Sequence, residues 1–111
     1  MATISNLYVD AGSTYSNIIT VSASNGQALD LTGYTVASQM RKSYGSSTVY
    51  NFSASIYNAS QGKVRLQLSN IQSEAIPSGR WLYDVEIKSP SGSVTRVVEG
   101  IVTVSPQITQ I

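Results

Sequence analysis

Six carboxylates carry most of the chemistry this sequence offers: Asp10, Asp30, Glu74, Asp84, Glu86 and Glu99. Asp84 and Glu86 stand two apart in "WLYDVEIK" (81–88), where strand alternation puts both on one face, about 7 Å apart. Two carboxylates at about 5–10 Å can flank and hydrolyse a glycosidic bond. The same spacing also describes ordinary solvated positions on the wet face of a strand. Arg96 stands where a cross-strand partner of Glu86 would, a pairing worth a fraction of a kcal/mol (about 0.2–1) when exposed. Histidine is absent, which removes the commonest general base and metal ligand, and cysteine is absent, which removes thiol nucleophiles and thiolate zinc sites. No serine triad can be assembled, "GSSTVY" (45–50) lacks the lysine and strand-to-helix setting of a phosphate loop, and no loop is acidic enough for calcium. The residue types predict a protein that is not an enzyme, with no catalytic, cofactor-binding or metal-binding residues.

Charge excludes further classes. Seven basic residues face six acidic ones with no run of either sign, so neither nucleic acid nor an anionic membrane is an expected partner. Only 12% of residues are charged, about half the usual share, and Ser, Thr, Asn, Gln and Tyr fill the polar positions. Such a surface repels copies of itself weakly, which points either to assembly or simply to an ordinary β domain with few charges. The opening "MATISNLYVDAG" has no basic stretch followed by an apolar one, so it does not read as a signal peptide, and no apolar run reaches the roughly 20 residues of a membrane helix. The acceptor patterns at Asn51 and Asn58 are accordingly read as chance.

Seven tyrosines and one tryptophan are the remaining binding inventory. Tyr34, Tyr50, Trp81 and Tyr83 fall on core-facing positions. Tyr8, Tyr15, Tyr44 and Tyr57 fall near edges and loops, and Tyr44 in "RKSYGSS" (41–47) is the one placed to stack on a sugar.

The elements that must position these residues follow from period-2 alternation. Ile19, Val21 and Ala23 share a face, as do Tyr34, Val36 and Met40 with Ser38 among them. Tyr50, Phe52, Ala54 and Ile56 form one strand face; Val64, Leu66 and Leu68 another; Trp81, Tyr83, Val85 and Ile87 a third. Turn residues punctuate the strands at "SNGQ" (24–27), "NASQG" (58–62) and "SPSGS" (89–93), the last with Gly92. "LSNIQSEAIPSG" (68–79) breaks the alternation and predicts a short helical turn between sheets, with Ile71, Ala75 and Ile76 on one face and Pro77 ending it. In "VTRVVEGIVTV" (94–104), Val98, Val102 and Val104 face one way and Val97 and Ile101 the other, so Gly100 is expected at a bulge, unless both faces are covered. The prediction is one domain over residues 1–111, an all-β, antiparallel immunoglobulin-like β-sandwich of about seven strands anchored by Trp81. Residues 107–111 retain Ile108 and Ile111, which a free end does not need, so this tail either lies back on the domain or inserts into a neighbour as a docking tail.

"LDLTGYTVASQMRKSY" (29–44) and "IPSGRWLYDVEIKSPSGSVTRVVEGIVTVSP" (76–106) resemble the small β-sandwich domains of virion structural proteins in tailed phages, marine and cyanobacterial ones especially. More distantly they are similar to the N-terminal domain of the phage baseplate upper protein family. The opening "NLYVDAGSTYSNIITV" (6–21) extends the likeness over nearly the whole chain. The resemblance implies a virion protein made in a bacterial cytoplasm, assembling in multiple copies with itself or with other virion proteins. It brings no catalytic residues, and its fold-makers fall on Asp30, Thr32, Gly33, Gly79, Gly92 and Gly100. Family members are mostly modules of longer chains, whereas this one spans Met1–Ile111, so a small accessory subunit at the head surface, neck or baseplate is expected. The candidate interface is Tyr8, Tyr44, Ile108 and Ile111. The alternative is an adhesion module of the tail that binds host-surface glycan through Tyr44 and loop hydroxyls.

Overall fold

The computed structural model describes residues 3–23 and 26–108, and all structural statements concern these. Nine strands build two sheets: β1 (Thr3–Ile4), β2 (Leu7–Asp10), β3 (Tyr15–Thr20), β4 (Thr35–Arg41), β5 (Val49–Asn51), β6 (Ser53–Asn58), β7 (Lys63–Leu68), β8 (Gly79–Lys88) and β9 (Val94–Ser105). One helix, α1 (Asn70–Ala75), carries the chain from β7 to β8, and a single 3-10 turn, Ala59–Gln61, joins β6 to β7. The first sheet runs β5-β4-β8-β9 antiparallel, with β1 and β2 laid one after the other along the outer side of β9. The second is β3-β7-β6, antiparallel throughout. The fold is an all-β sandwich.

The alternation is obeyed almost residue by residue. Trp81, Tyr83, Val85 and Ile87 of β8 are buried, and Met40, Val98, Val102 and Val104 line the same side. They pack against Val64, Leu66 and Leu68 of β7 in one apolar core. Ser38 is buried among them because its hydroxyl donates to the Asp84 carbonyl at 2.7 Å, which removes the cost of an unpaired polar group. Trp81 is 3% exposed, donates from Nε1 to the Pro77 carbonyl at 2.9 Å, and meets Tyr50 edge-on at 5.3 Å.

Four expectations are corrected. Strands number nine rather than about seven, because one apparent single strand is divided and the N-terminal segment, outside the alternating runs named above, supplies two. The run over Tyr50–Ile56 leaves the first sheet as β5 and enters the second as β6, crossing at Phe52, whose amide donates to the Ser38 carbonyl at 3.0 Å. Its alternation survives since both sheets share one interior. The N-terminal segment is likewise two strands, and both pair with β9 in parallel, so the first sheet is mixed rather than purely antiparallel. In α1, Ile71 is 74% exposed and Ala75 is exposed; Ser73 and Ile76 face inward instead. Finally, the bulge lies at Val97 and not at Gly100: Val85 pairs with Val98 while Glu86 pairs with Arg96, leaving Val97 as the extra residue.

Gly100 has another role. It sits opposite Tyr83 in regular register, and a Cβ there would overlap the Ser5 carbonyl oxygen and lie 2.9 Å from the Ser5 carbon. The absent side chain lets the link between β1 and β2 cross close over β9. There the Tyr83 hydroxyl donates to the Ser5 carbonyl at 2.5 Å, and the Asn6 side chain accepts from the Ile101 amide at 3.1 Å. Asn6 thereby completes the ladder where the backbone pairing of β1 and β2 is interrupted.

Candidate functional site

The outward side of the first sheet carries most of the charged residues singled out above. Alternation turns Leu82, Asp84 and Glu86 of β8 outward, beside Gln39 and Arg41 of β4 and Glu99 and Ile101 of β9. Arg96 joins them through the bulge, which turns Val97 against the core and re-aims Arg96 over the acidic face. Arg96 does stand opposite Glu86 in register, yet its ion pairs go elsewhere: Nε to Asp84 Oδ2 at 3.2 Å and Nη1 to Glu99 Oε2 at 3.3 Å. The hydrogen bond it donates to Glu99 and the charge of Asp84 hold the guanidinium above its ordinary pKa. Glu86 is exposed and makes no ion pair among the described residues. Asp84 and Glu86 share a face as alternation requires, but Asp84 is committed to Arg96.

These side chains border a groove of about 580 Å³. Its floor includes the half-buried register partners Leu82 and Ile101, and Tyr44 stands at its side. Tyr44 is 81% exposed. The loop bearing it is tied down: Arg41 Nη1 donates to the Ser46 carbonyl at 3.1 Å, and the Ser46 amide donates to the Ser43 carbonyl at 3.1 Å. The aromatic ring is thus presented from a hydrogen-bonded turn.

A second feature lies along the rim. β2 is paired with β9 on one side only, and its Tyr8 is 73% exposed. The C-terminal segment leaves β9 beside it, with the Ala11 amide donating to the Ser105 carbonyl at 3.0 Å and the Gln107 side chain packed on Gly12. Ile108 then stands 97% exposed. The rim therefore carries Tyr8 on β2 and, past Gln107, Ile108; Ile111 lies outside the described residues.

The other aromatic candidates divide. Tyr57 is half exposed, with the Arg65 guanidinium 4.3 Å from its ring centre. Tyr15 opens the edge strand β3, as expected, but its ring packs against Phe52 at 6.0 Å, and burial pushes its phenol pKa up. Tyr34 and Tyr50 are half-buried against the core. The remaining singled-out residues shape turns. Asp30 accepts from the Thr32 amide at 3.0 Å and its hydroxyl at 2.6 Å, bonds that hold the carboxyl below its usual pKa. Gly33 follows at φ +81°, a left-handed position that an L side chain disfavours, closing the turn from Leu31 to Tyr34. Gly92, at φ +95°, closes the β8–β9 hairpin with its amide on the Ser89 carbonyl at 2.9 Å.

Ser73 escapes sequence reading. It is fully buried, accepts from the Gly12 amide at 3.0 Å and donates to the Ser13 carbonyl at 2.8 Å, which bolts α1 to the β2–β3 turn. The only local signal is the capping box before it, formed by Ser69 and Gln72, which announces a helix but not its partner. Among the described residues, no group of three or more acidic side chains is clustered to hold a metal ion, and no helix is long and apolar enough to cross a membrane. No protein-family profile matches the chain, and no curated protein is significantly similar to it.

Proposed function

We propose that this protein is a non-enzymatic structural subunit acting by protein–protein assembly, of the kind carried on the head surface, neck or baseplate of tailed-phage virions. The observation that carries the reading is the rim: a one-sided edge strand bearing exposed Tyr8, with the Ile108 segment emerging beside it. An edge strand leaves backbone donors and acceptors unpaired along its outer side, and a neighbouring chain can complete that ladder while covering Tyr8 and Ile108. The low charge density lowers the electrostatic cost of packing many copies together. The sequence resemblance supplies the virion setting, and the partner is another virion protein or a second copy of this chain.

Immunogold labelling of purified phage particles with an antibody to this domain tests the setting. Label over heads means a decorating subunit, and label at one vertex or the tail tip means a neck or baseplate subunit. Particles that carry no label overturn the reading.

A further inference from the structure

Beyond assembly, and independently of it, we infer that the groove on the outer face of the first sheet binds a neutral, hydroxyl-rich ligand: a short stretch of surface polysaccharide lying against Tyr44. The volume of about 580 Å³ falls in the range of small-molecule sites, about 300–1,000 Å³. Leu82 and Ile101 offer an apolar floor on which the C–H face of a sugar ring can rest, and Tyr44 offers an exposed ring at the side. Glu86 and Gln39 border the groove with acceptors and an amide for hydroxyl groups.

Electrostatics selects the class. Three carboxylates (Asp84, Glu86, Glu99) face two guanidinium groups (Arg41, Arg96). Arg96 is already engaged by two of the carboxylates, and Arg41 donates to the Ser46 carbonyl and to Gln39 Oε1. A phosphate, sulfate or carboxylate ligand would therefore meet one surplus negative charge, with Arg96 already ion-paired and Arg41 held by two neutral acceptors. A purely apolar ligand would have to desolvate the same charges. Nor does the groove offer a strand edge to a peptide, since β4 and β8 are paired on both sides and the outer side of β9 is occupied there by β1 and the Asn6 side chain. What remains is a ligand that hydrogen-bonds to carboxylate and amide without bearing charge, and that presents an apolar face to a ring.

The test is a glycan array printed with neutral, acidic and sulfated bacterial oligosaccharides, followed by titration calorimetry on any neutral hit. Saturable binding to neutral glycans is expected. Tyr44→Ala should weaken it by about tenfold or more, the loss typical when an aromatic anchor is truncated, and Glu86→Gln should weaken it as well. Ile71→Ser, on α1 and outside the groove lining, should bind as the unaltered protein does. Unchanged emission from Trp81 verifies that each variant is folded. Binding to no glycan, binding confined to acidic glycans, or full affinity in Tyr44→Ala each overturns the assignment, whatever the particles show under immunogold.

Discussion

Replacing Gly100 with Ala tests the close crossing of the N-terminal segment over β9. Gly100 lies in extended strand backbone and is not among the glycines at positive φ. At such a position Ala normally stabilises, by about 0.5–1 kcal/mol, because glycine gives up more freedom on folding. Here the added methyl would overlap the Ser5 backbone carbonyl, which cannot swing aside as a flexible side chain can, and would also press on the Asn6 side chain, with Oδ1 at 3.0 Å. The segment must move away. Overpacking alone costs about 1–3 kcal/mol. Two hydrogen bonds move with it, Tyr83 to Ser5 and Ile101 to Asn6, each worth about 1 kcal/mol. Set against the intrinsic gain, the expected net loss is about 2–4.5 kcal/mol, opposite in sign to the intrinsic effect. Urea unfolding followed by the emission of Trp81, the only tryptophan and a buried one, reads it directly. Hydrogen exchange should show lost protection at residues 5–10, where Leu7 and Val9 enter the core. A variant as stable as the unaltered protein, or more so, would refute the crossing.

Three other outcomes are expected. Burial pushes the Tyr83 phenol up to about 12, against an ordinary 10.0. Below pH 10 both folded and unfolded chains hold the proton and stability is complete; from there to about pH 12 the unfolded chain releases a proton the folded one keeps, so stability falls. Tyr83→Phe should flatten that alkaline decline in denaturation curves taken across the window, while losing about 1 kcal/mol at neutral pH as the Ser5 carbonyl loses its donor. Ser73→Ala should lower stability by about 1–3 kcal/mol in the same urea titration, since it strips partners from the Gly12 amide and the Ser13 carbonyl. Deleting residues 107–111 removes exposed Ile108 and half-buried Gln107 but no buried core side chain among those described, so melting should change little while incorporation into particles is abolished. Normal incorporation of the truncated protein would exclude the tail from docking.

Sequence alone determined which way most strand residues face and what chemistry the chain cannot draw on. Alternation in "RWLYDVEIK" (80–88) placed Trp81, Tyr83, Val85 and Ile87 inside and Asp84 and Glu86 outside, because side chains on a strand must alternate. Asp30, Thr32 and Gly33 made their turn legible, because it is closed by bonds among near neighbours. Tertiary structure decided what lies beside each strand. Backbone donors and acceptors are the same at nearly every residue, so the pattern within a strand does not specify its partner. Hence the division of one alternating run between two sheets at Phe52, and the parallel placement of β1 and β2, had no local mark. The same holds for Ser73, whose partners lie 60 and 61 residues away, and for Arg96, whose choice of Asp84 over Glu86 depends on a one-residue bulge. Gly100 is the sharpest case. A glycine in a strand announces that something is unusual there, but only the Ser5 carbonyl, brought close by the fold, shows that the residue was needed for space rather than for a bend.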